Sequence, residues 1–268
     1  MTEAPQAEAP GEGASLFDLT GRTALVTGSS RGIGLAIATG LVRAGARLVL
    51  NGLVPDRLDR TRAVLADRFG DDAVAARAFD VTDPDAVAEG VAWVEATVGP
   101  VDVLVNNAGL QHREPLLDVS LADWNRVLTT DLSSAFIVGR EVARHQLARG
   151  HGKIINVCSV QTELARPSIA AYTAAKGGLR GLTRAMTAEW ASGGLQINGI
   201  APGYIHTEMT QALVDDPAFN AWILGRTPAA RWGTVDDLVG PAVFLASRAS
   251  DYVNGQVLFI DGGMTAVV

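Results

Sequence analysis

Short apolar runs alternate with longer amphipathic stretches along most of the chain. The runs predicted to be strands are RTALVT, ARLVLN, AVAARAF, VDVLVNN, GKIINV, LQINGI and GQVLFI. Each is close to continuously apolar, which is typical of strands that helices cover on both faces. The alternation therefore predicts an α/β fold: a single doubly wound domain with a seven-stranded, mainly parallel sheet and helices on both faces.

Helices are predicted between these strands, at about residues 32–44, 57–69, 84–98, 122–147, 169–191 and 235–246. The connection over about 201–234 is too long for an ordinary loop and has helical patches of its own. Connections of this length are usually functional, so we expect a substrate-binding segment there. Because no change in composition marks a boundary, residues 16–268 are predicted to form one domain.

The first 15 residues, MTEAPQAEAPGEGAS, are rich in Ala, Pro, Glu and Gly and contain no apolar run. This composition predicts a disordered tail rather than a signal peptide. Elsewhere no apolar run reaches the roughly 18 residues that a membrane-spanning helix needs. We therefore expect a cytoplasmic protein with no membrane partner.

Charge and cysteine content narrow the partners further. The formal net charge is -7 and no block of Lys and Arg stands out, which argues against a nucleic-acid partner. A lone cysteine, Cys158, excludes an intramolecular disulfide, and the four histidines lack paired metal-ligand spacing. No metal site is predicted.

Glycines follow the first predicted strand in TGSSRGIG, residues 27–34, and lead into a helix. Such a turn lets the backbone approach a pyrophosphate at a helix N-terminus. Its spacing is not the common G-x-G-x-x-G, so a glycine-rich turn without a ligand is the alternative. FDVTD and NNAG end the third and fourth strands at the same sheet edge, where Asp80 and Asn106 are expected to face a dinucleotide and Asp83 to cap a helix.

A tyrosine and a lysine lie four residues apart in YTAAKGG, residues 172–178, within a predicted helix. This spacing puts Lys176 one turn from Tyr172, where an ammonium favours the phenolate and suits the phenol to proton transfer. Ser159 follows the fifth strand, at the sheet edge that also carries the glycine turn. Without these neighbours, a solvated surface pair would be the simpler interpretation.

TGxxxGxG, NNAG, a serine, YxxxK and a later PG, in this order, resemble the short-chain dehydrogenase/reductase family from Leu16 to the C-terminus. The resemblance implies a Rossmann fold and hydride transfer between a nicotinamide and a substrate carbon. It implies catalytic roles for Ser159, Tyr172 and Lys176. It also puts Asp131 where the family usually has an asparagine of a water relay to the lysine. A carboxylate there cannot donate hydrogen bonds, and its charge favours a protonated Lys176.

The resemblance further implies cofactor-binding residues: Gly28, Ser30, Arg31, Gly32, Ile33, Gly34, Asn51, Asp80, Val81, Asn107, Ala108, Gly109, Tyr172, Lys176, Pro202, Gly203, Ile205 and Thr207. NADP is favoured, because Asn51 offers no carboxylate to repel a 2′-phosphate and Arg31 is suited to pair with one. NAD is the alternative. Leu53 stands where many NADP-dependent relatives carry a second basic residue, Arg57 lies further along, and Arg31 could be merely solvated.

Four stretches carry less common residues: NNAGLQHREP, CSVQTELARPSIAAY, NGIAPGYIHTEMTQALVDDPAFNAWILGRTPAARWG and DYVNGQVLFIDGGM. Together they resemble a branch of the family that interconverts D-gluconate and 5-keto-D-gluconate. The substrate, a small polyhydroxy acid, is then expected to contact Ser159, Gln161, Arg113, Arg166 and Tyr204, with Gln111, His112 and Glu163 as further polar groups. Either Arg113 or Arg166 would receive the carboxylate, unless they form salt bridges with Glu114 or Glu163.

Other interpretations stay open. A reductase of 3-oxoacyl thioesters, steroids or other polyols would share the cofactor and the catalytic residues, but should have a more apolar or more basic substrate mouth. Asp131 permits a non-catalytic NADP-binding sensor, whereas the intact catalytic residues weigh against it. Trp222 and Trp232 could close over the substrate or pack in a core. The resemblance also implies a homotetramer, paired through the helices at 122–147 and 169–191 and the C-terminal strand.

Overall fold

Seven β-strands form one sheet in the computed structural model, which describes residues 15–268. They are β1 (Thr23–Val26), β2 (Arg47–Gly52), β3 (Val74–Ala78), β4 (Val101–Asn106), β5 (Gly152–Val157), β6 (Leu195–Pro202) and β7 (Val257–Ile260). Each overlaps one of the predicted runs. The tail predicted over residues 1–15 lies, apart from Ser15, outside the described residues.

The strand order is β3-β2-β1-β4-β5-β6-β7, and every neighbouring pair is parallel. The predicted doubly wound sheet is confirmed, and its strands are all rather than mainly parallel. Chain order reverses between β1 and β4, so the connections that follow these strands go to opposite faces of the sheet. A crevice for a ligand is expected at the carboxyl ends of the two strands.

Helices cover both faces of this sheet. Within residues 15–268 they are α1 (Gly32–Arg43), α2 (Pro55–Phe69), α3 (Pro84–Thr97), α4 (Leu121–Leu128), α5 (Ser134–Arg149), α6 (Ala170–Trp190), α7 (Gln211–Val214), α8 (Pro217–Arg226) and α9 (Val239–Ala246). α1, α2 and α9 pack on one face, and α3, α5 and α6 on the other. Successive residues of a strand pack on opposite faces of the sheet. Ala24 and Val26 pack against α1, α2 and α9, whereas Leu25 packs against α3, α5 and α6. None of the described helices is long and apolar enough to cross a membrane.

The helix predicted over 122–147 is interrupted. A π-helical turn, Thr129–Ser133, separates α4 from α5. The turn buries Asp131, whose Oδ1 accepts a hydrogen bond from the Leu110 backbone N–H at 2.8 Å. Turns of this kind are rare and frequently mark functional sites. Hydrophobic periodicity did not reveal the turn, because α4 and α5 continue the apolar pattern on either side of it.

The long connection after β6 contains α7, α8 and a cluster of four aromatic rings, those of Tyr204, Phe219, Trp222 and Trp232. Tyr204 contacts the other three edge-on, with ring centroids 5.7, 6.1 and 5.8 Å away. Such contacts stabilise an aromatic cluster beyond the area that it buries. Trp222 and Trp232 thus both contact Tyr204 and Phe219, in a surface cluster in which Trp222 is 49% exposed.

Close packing of α1 against α9 offers a test of the core on the sheet face that α1, α2 and α9 cover. A Cβ on Gly40 would collide with the side chain of Val239. We expect Gly40→Ala to lower the free energy of unfolding by about 1–3 kcal/mol, because the two helices must move apart. Gly181→Ala is the matched control, since the exposed Gly181 of α6 has open space around its Cβ position. It should be neutral or stabilising by up to about 1 kcal/mol. Equal values in chemical denaturation would contradict the packing described.

Candidate active site

One cavity of about 780 Å³ lies where the loops after β1 and β4 diverge. Every cofactor-binding residue that the family resemblance implies lines it. The predicted catalytic and substrate residues line it as well: Ser159, Tyr172, Lys176, Asp131, Gln161, Arg113, Arg166 and Tyr204. Segments that are distant in the sequence therefore meet in a single space large enough for a cofactor and a small substrate.

The glycine turn after β1 is pressed against the loop after β4. Asn107 Nδ2 donates hydrogen bonds to the carbonyls of Thr27 and Gly28, at 2.9 and 3.1 Å. A Cβ on Gly34 would collide with this amide, and one on Gly28 would lie 2.9 Å from Cα of Ala108. Gly28 also has a φ of 62°, which favours glycine. The result is a cradle of bare backbone, the kind of surface that a dinucleotide pyrophosphate can approach closely.

The end of β2 brings no carboxylate to the cavity. Asn51 is buried, and its side chain donates hydrogen bonds to two backbone carbonyls at the end of β3, at 3.2 and 3.1 Å. Arg31 and Arg57 both line the same cavity, although Arg57 lies further along the sequence than the usual basic position. The end of β2 thus presents an amide where a carboxylate would disfavour a 2′-phosphate, and two guanidinium groups share the cavity with it.

Lys176 contributes a buried ammonium to the candidate catalytic group. Its Nζ donates a hydrogen bond to the Val157 carbonyl at 2.9 Å, and lies 3.4 Å from Oδ2 of Asp131 and 5.4 Å from the Tyr172 ring centroid. Burial opposes the charge of the lysine, but Asp131, supported by Tyr172, outweighs burial and raises the pKa of Lys176. Burial raises the pKa of Asp131 in turn, although the ammonium counteracts it. The pair is accordingly a buried ion pair with Lys176 charged.

Ser159 follows β5 and caps the short 3₁₀ turn Val160–Thr162. Its Oγ accepts a hydrogen bond from the Gln161 backbone N–H at 3.2 Å, so the hydroxyl proton is available to a ligand. The adjacent Cys158 is buried, and burial raises the pKa of its thiol to about 11. Cys158 is therefore a packing residue, and Ser159 offers the hydroxyl.

Two guanidinium groups, those of Arg113 and Arg166, form a cationic pair on the cavity wall. Arg113 is held by Oε1 of Gln111 at 3.1 and 3.3 Å, and Arg166 lies over the Phe219 ring, 5.3 Å from its centroid. Burial, followed by the charge of Arg166, lowers the pKa of Arg113. Burial also raises the pKa of Tyr204 beside them, which keeps its hydroxyl protonated. An anionic ligand would relieve the repulsion between the two arginines.

The salt bridges considered for these two arginines do not form. Glu114 pairs with His112 at 2.9 Å, and Glu163 pairs with Arg180. The expectation that His112 and Glu163 add polar groups to the substrate site is wrong, because neither lines the cavity and each is paired elsewhere. Among the described residues, Arg113 and Arg166 have no carboxylate partner.

Asn106 is another incorrect prediction. It is the last residue of β4, is buried, and donates a hydrogen bond to Oδ1 of Asn156 at 3.0 Å rather than lining the cavity. Successive side chains of a strand point to opposite faces, and the next residue, Asn107, is the one that reaches the cradle. Asp83 caps α3 as predicted, by accepting hydrogen bonds from two backbone N–H groups.

Several polar cavity residues carried no recognised signal in the sequence, among them Arg126, Thr130 and Glu208. Arg126 and Thr130 are four residues apart, which would put them on one helical face close to Asp131. Glu208 forms an ion pair with Arg31 at 3.0 Å. These two residues are 177 positions apart, so only the fold reveals their contact.

Among the described residues, one group of potential metal ligands occurs: His112, Glu114 and Asp123. The ring nitrogens of His112 lie 2.9 Å from Glu114 and 3.7 Å from Asp123, and the guanidinium of Arg126 lies 2.9 Å from Asp123. A guanidinium at that distance repels a metal ion. The group is better described as a hydrogen-bonded network that includes the Arg126–Asp123 ion pair.

Known proteins resemble this chain over nearly its whole length. A family model described as Enoyl-(Acyl carrier protein) reductase matches residues 28–265. Gluconate 5-dehydrogenase of Gluconobacter oxydans (strain 621H) is 55% identical, over 93% of this chain and 97% of the relative. A 2-dehydro-3-deoxy-D-gluconate 5-dehydrogenase of Formosa agariphila is 48% identical, over 94% of this chain and 96% of the relative.

A solved structure extends the comparison to three dimensions. The crystal structure of a gluconate 5-dehydrogenase from Burkholderia cenocepacia J2315, in complex with NADP and tartrate, has 54% sequence identity and a TM-score of 0.89. The similarity covers 94% of this chain and 98% of that one. Together with the glycine turn and the order of Ser159, Tyr172 and Lys176, these matches establish that the chain belongs to the short-chain dehydrogenase/reductase family.

Proposed function

We propose that this protein is an NADP(H)-dependent oxidoreductase that interconverts D-gluconate and 5-keto-D-gluconate. The observation that supports this most strongly is the cationic pair Arg113 and Arg166, which shares one cavity with Ser159, Tyr172 and Lys176. A sugar acid suits both groups. Its carboxylate matches the guanidinium pair, and a hydroxyl or carbonyl further along its chain reaches the serine and the tyrosine.

The choice of cofactor rests on charge. The amide of Asn51 does not repel a 2′-phosphate, and Arg31 and Arg57 add two cations to the cavity. The bare-backbone cradle formed by Gly28 and Gly34 fits a dinucleotide. The relative from Burkholderia cenocepacia was solved with NADP. These features favour NADP(H) for this chain, with NAD(H) as the alternative.

Bound NADPH would supply the hydride that reduces the carbonyl carbon. Ser159 would donate a hydrogen bond to the carbonyl oxygen, since its Oγ accepts from Gln161 and leaves its proton free. The Tyr172 hydroxyl would deliver the proton to the same oxygen, and the ammonium of Lys176 would stabilise the phenolate left behind. In the oxidation of gluconate the phenolate of Tyr172 would take the proton instead.

Asp131 acts through Lys176 in this scheme. An asparagine at its position would leave the ammonium without a neutralising charge, whereas the carboxylate at 3.4 Å makes a nearly neutral pair. A neutral pair offers a phenolate less electrostatic support than a bare ammonium does. Asp131 would therefore be a positioning residue that sets the charge of Lys176 beside Tyr172.

The residues of the cavity also help to decide between the proposed substrate, other substrates and a non-catalytic role. 2-Dehydro-3-deoxy-D-gluconate, which names the Formosa agariphila relative, has a carboxylate too and is the closest rival. A 3-oxoacyl thioester or a neutral polyol would bring no carboxylate to Arg113 and Arg166. A non-catalytic sensor would have no use for Ser159, Tyr172 and Lys176 in one cavity. The homotetramer and the cytoplasmic location remain predictions.

Absorbance of the reduced nicotinamide tests the assignment, with NADPH and, in turn, 5-keto-D-gluconate, 2-dehydro-3-deoxy-D-gluconate and an acetoacetyl thioester. We expect kcat/KM to be highest with 5-keto-D-gluconate. Arg113→Gln and Arg166→Gln should each raise its KM by about 10-fold to 100-fold, the effect of losing a charge-assisted hydrogen bond.

Arg126→Gln is the matched control, because Arg126 lines the same cavity but is already paired with Asp123. An equal rise in KM for all three variants would contradict the carboxylate site. Turnover of the thioester alone would show that the substrate is a 3-oxoacyl thioester and not a sugar acid. No turnover of any compound would favour the non-catalytic NADP-binding sensor.

Asp131→Asn should move the pH dependence of gluconate oxidation. Removing the carboxylate takes away the main influence that raises the pKa of Lys176, while burial, which lowers that pKa, remains. Lys176 should then lose its proton at lower pH, so the fall in log kcat at high pH, where the ammonium is lost, should begin about one unit lower. Profiles measured from pH 6 to 11 that superimpose for the two chains would exclude this role for Asp131.

A further inference from the structure

An ion pair connects the two sides of the cofactor cavity. Arg31 is the last residue of the glycine turn before α1, and Glu208 opens the short 3₁₀ turn Glu208–Thr210 in the connection after β6. Nη1 of Arg31 lies 3.0 Å from Oε2 of Glu208, and both side chains line the cavity. Their exposed fractions are 58% and 79%. Exposed pairs of this kind are weak, and a stronger anion readily displaces one partner.

Glu208 differs from the other carboxylates on this cavity. Asp80 is occupied by the N–H and the hydroxyl of Thr82, at 2.8 and 2.7 Å, and Asp131 is buried against Lys176. Within the described residues, the side chain of Glu208 has Arg31 as its partner. The carboxylate therefore engages the guanidinium that the proposed function gives to the 2′-phosphate.

We propose that Glu208 competes with the cofactor 2′-phosphate for Arg31 and so determines how strongly the chain prefers NADP(H) over NAD(H). This inference rests on the proposed function, in which Arg31 binds the phosphate. A phosphate bound by Arg31 would lie close to the Glu208 carboxylate, and the two negative charges repel each other. NAD(H) brings no phosphate to that place and leaves the ion pair intact. Glu208 thus reduces the preference for NADP(H) over NAD(H), so that NAD(H) can also bind as a cofactor.

The same contact has a second physical interpretation, which makes the opposite prediction. If the Arg31–Glu208 pair closed over the backbone of either cofactor as a clamp, breaking it would weaken NADPH and NADH equally. Competition instead requires that loss of the carboxylate strengthen NADPH alone. Dissociation constants for the two cofactors therefore separate the two models without any substrate.

The experiment is a double-mutant cycle of Glu208→Gln, Arg31→Gln and the double variant on the full chain, with NADPH and NADH titrated by nicotinamide fluorescence. We expect Glu208→Gln to lower the dissociation constant of NADPH by about threefold to fivefold, which is the scale of an exposed ion pair. The dissociation constant of NADH should stay within about twofold of its value for the unsubstituted chain. In the Arg31→Gln background, Glu208→Gln should have no such effect, because the shared cation is gone.

Asp215→Asn is the matched control. It removes the same charge from an exposed residue of the same connection, where Asp215 contacts Gln211 and lies outside the cavity. It should leave both dissociation constants unchanged, and a shift equal to that of Glu208→Gln would reduce the effect to net charge and overturn the competition.

The remaining outcomes distinguish this inference from the function on which it rests. Equal weakening of both cofactors by Glu208→Gln, or no change in NADPH binding, would overturn the competition. If Arg31→Gln leaves the ratio of the two dissociation constants unchanged, the assignment of Arg31 to the 2′-phosphate fails first, and the competition fails with it. A changed ratio with Arg31→Gln but not with Glu208→Gln would retain the assignment and reject the competition alone.

Discussion

The site depends on keeping one ammonium charged inside the protein. Lys176 is 4% exposed, and an ionised group removed from water is costly unless partners replace its hydration. Its partners come from three elements: the Val157 carbonyl at the end of β5, the Asp131 carboxylate in the π-helical turn, and the Tyr172 ring one turn earlier on α6. Removing one of them would leave a poorly solvated charge. The requirement therefore fixes β5, α6 and the π-helical turn relative to one another.

Around this neutralised centre, four arginines of the cavity divide into two pairs. Arg31 and Arg57 belong to the side formed by the glycine turn and α2, and Arg113 and Arg166 to the side formed by the loops after β4 and β5. In the proposed function one side receives a phosphate and the other a carboxylate. The nearly neutral pair on α6 and the π-helical turn lies where proton and hydride transfer would occur, and it can tune that chemistry without attracting either anion away from its own arginines.

Much of this arrangement could be predicted from the sequence, because parallel strands bring their carboxyl ends to one edge. That rule, with the family resemblance, was enough to gather Ser159, Tyr172, Lys176 and the glycine turn. The rule did not place Asn106 correctly. Side chains alternate between the two faces of a strand, so an error of one residue at its end puts a buried side chain in the cavity. Nor does local sequence report the contact between Arg31 and Glu208, which depends on how a long connection folds back.

The most direct test of the account is the single-turnover rate at which 5-keto-D-gluconate oxidises bound NADPH in Tyr172→Phe. Phenylalanine keeps the ring beside Lys176 but removes the proposed proton donor. The account predicts a rate about 10²–10⁴ times lower, the usual range for loss of a general acid, with the dissociation constant of NADPH within about twofold of the unsubstituted chain. A rate within a few-fold of the unsubstituted chain would show that Tyr172 is not the proton donor, and would contradict the central claim.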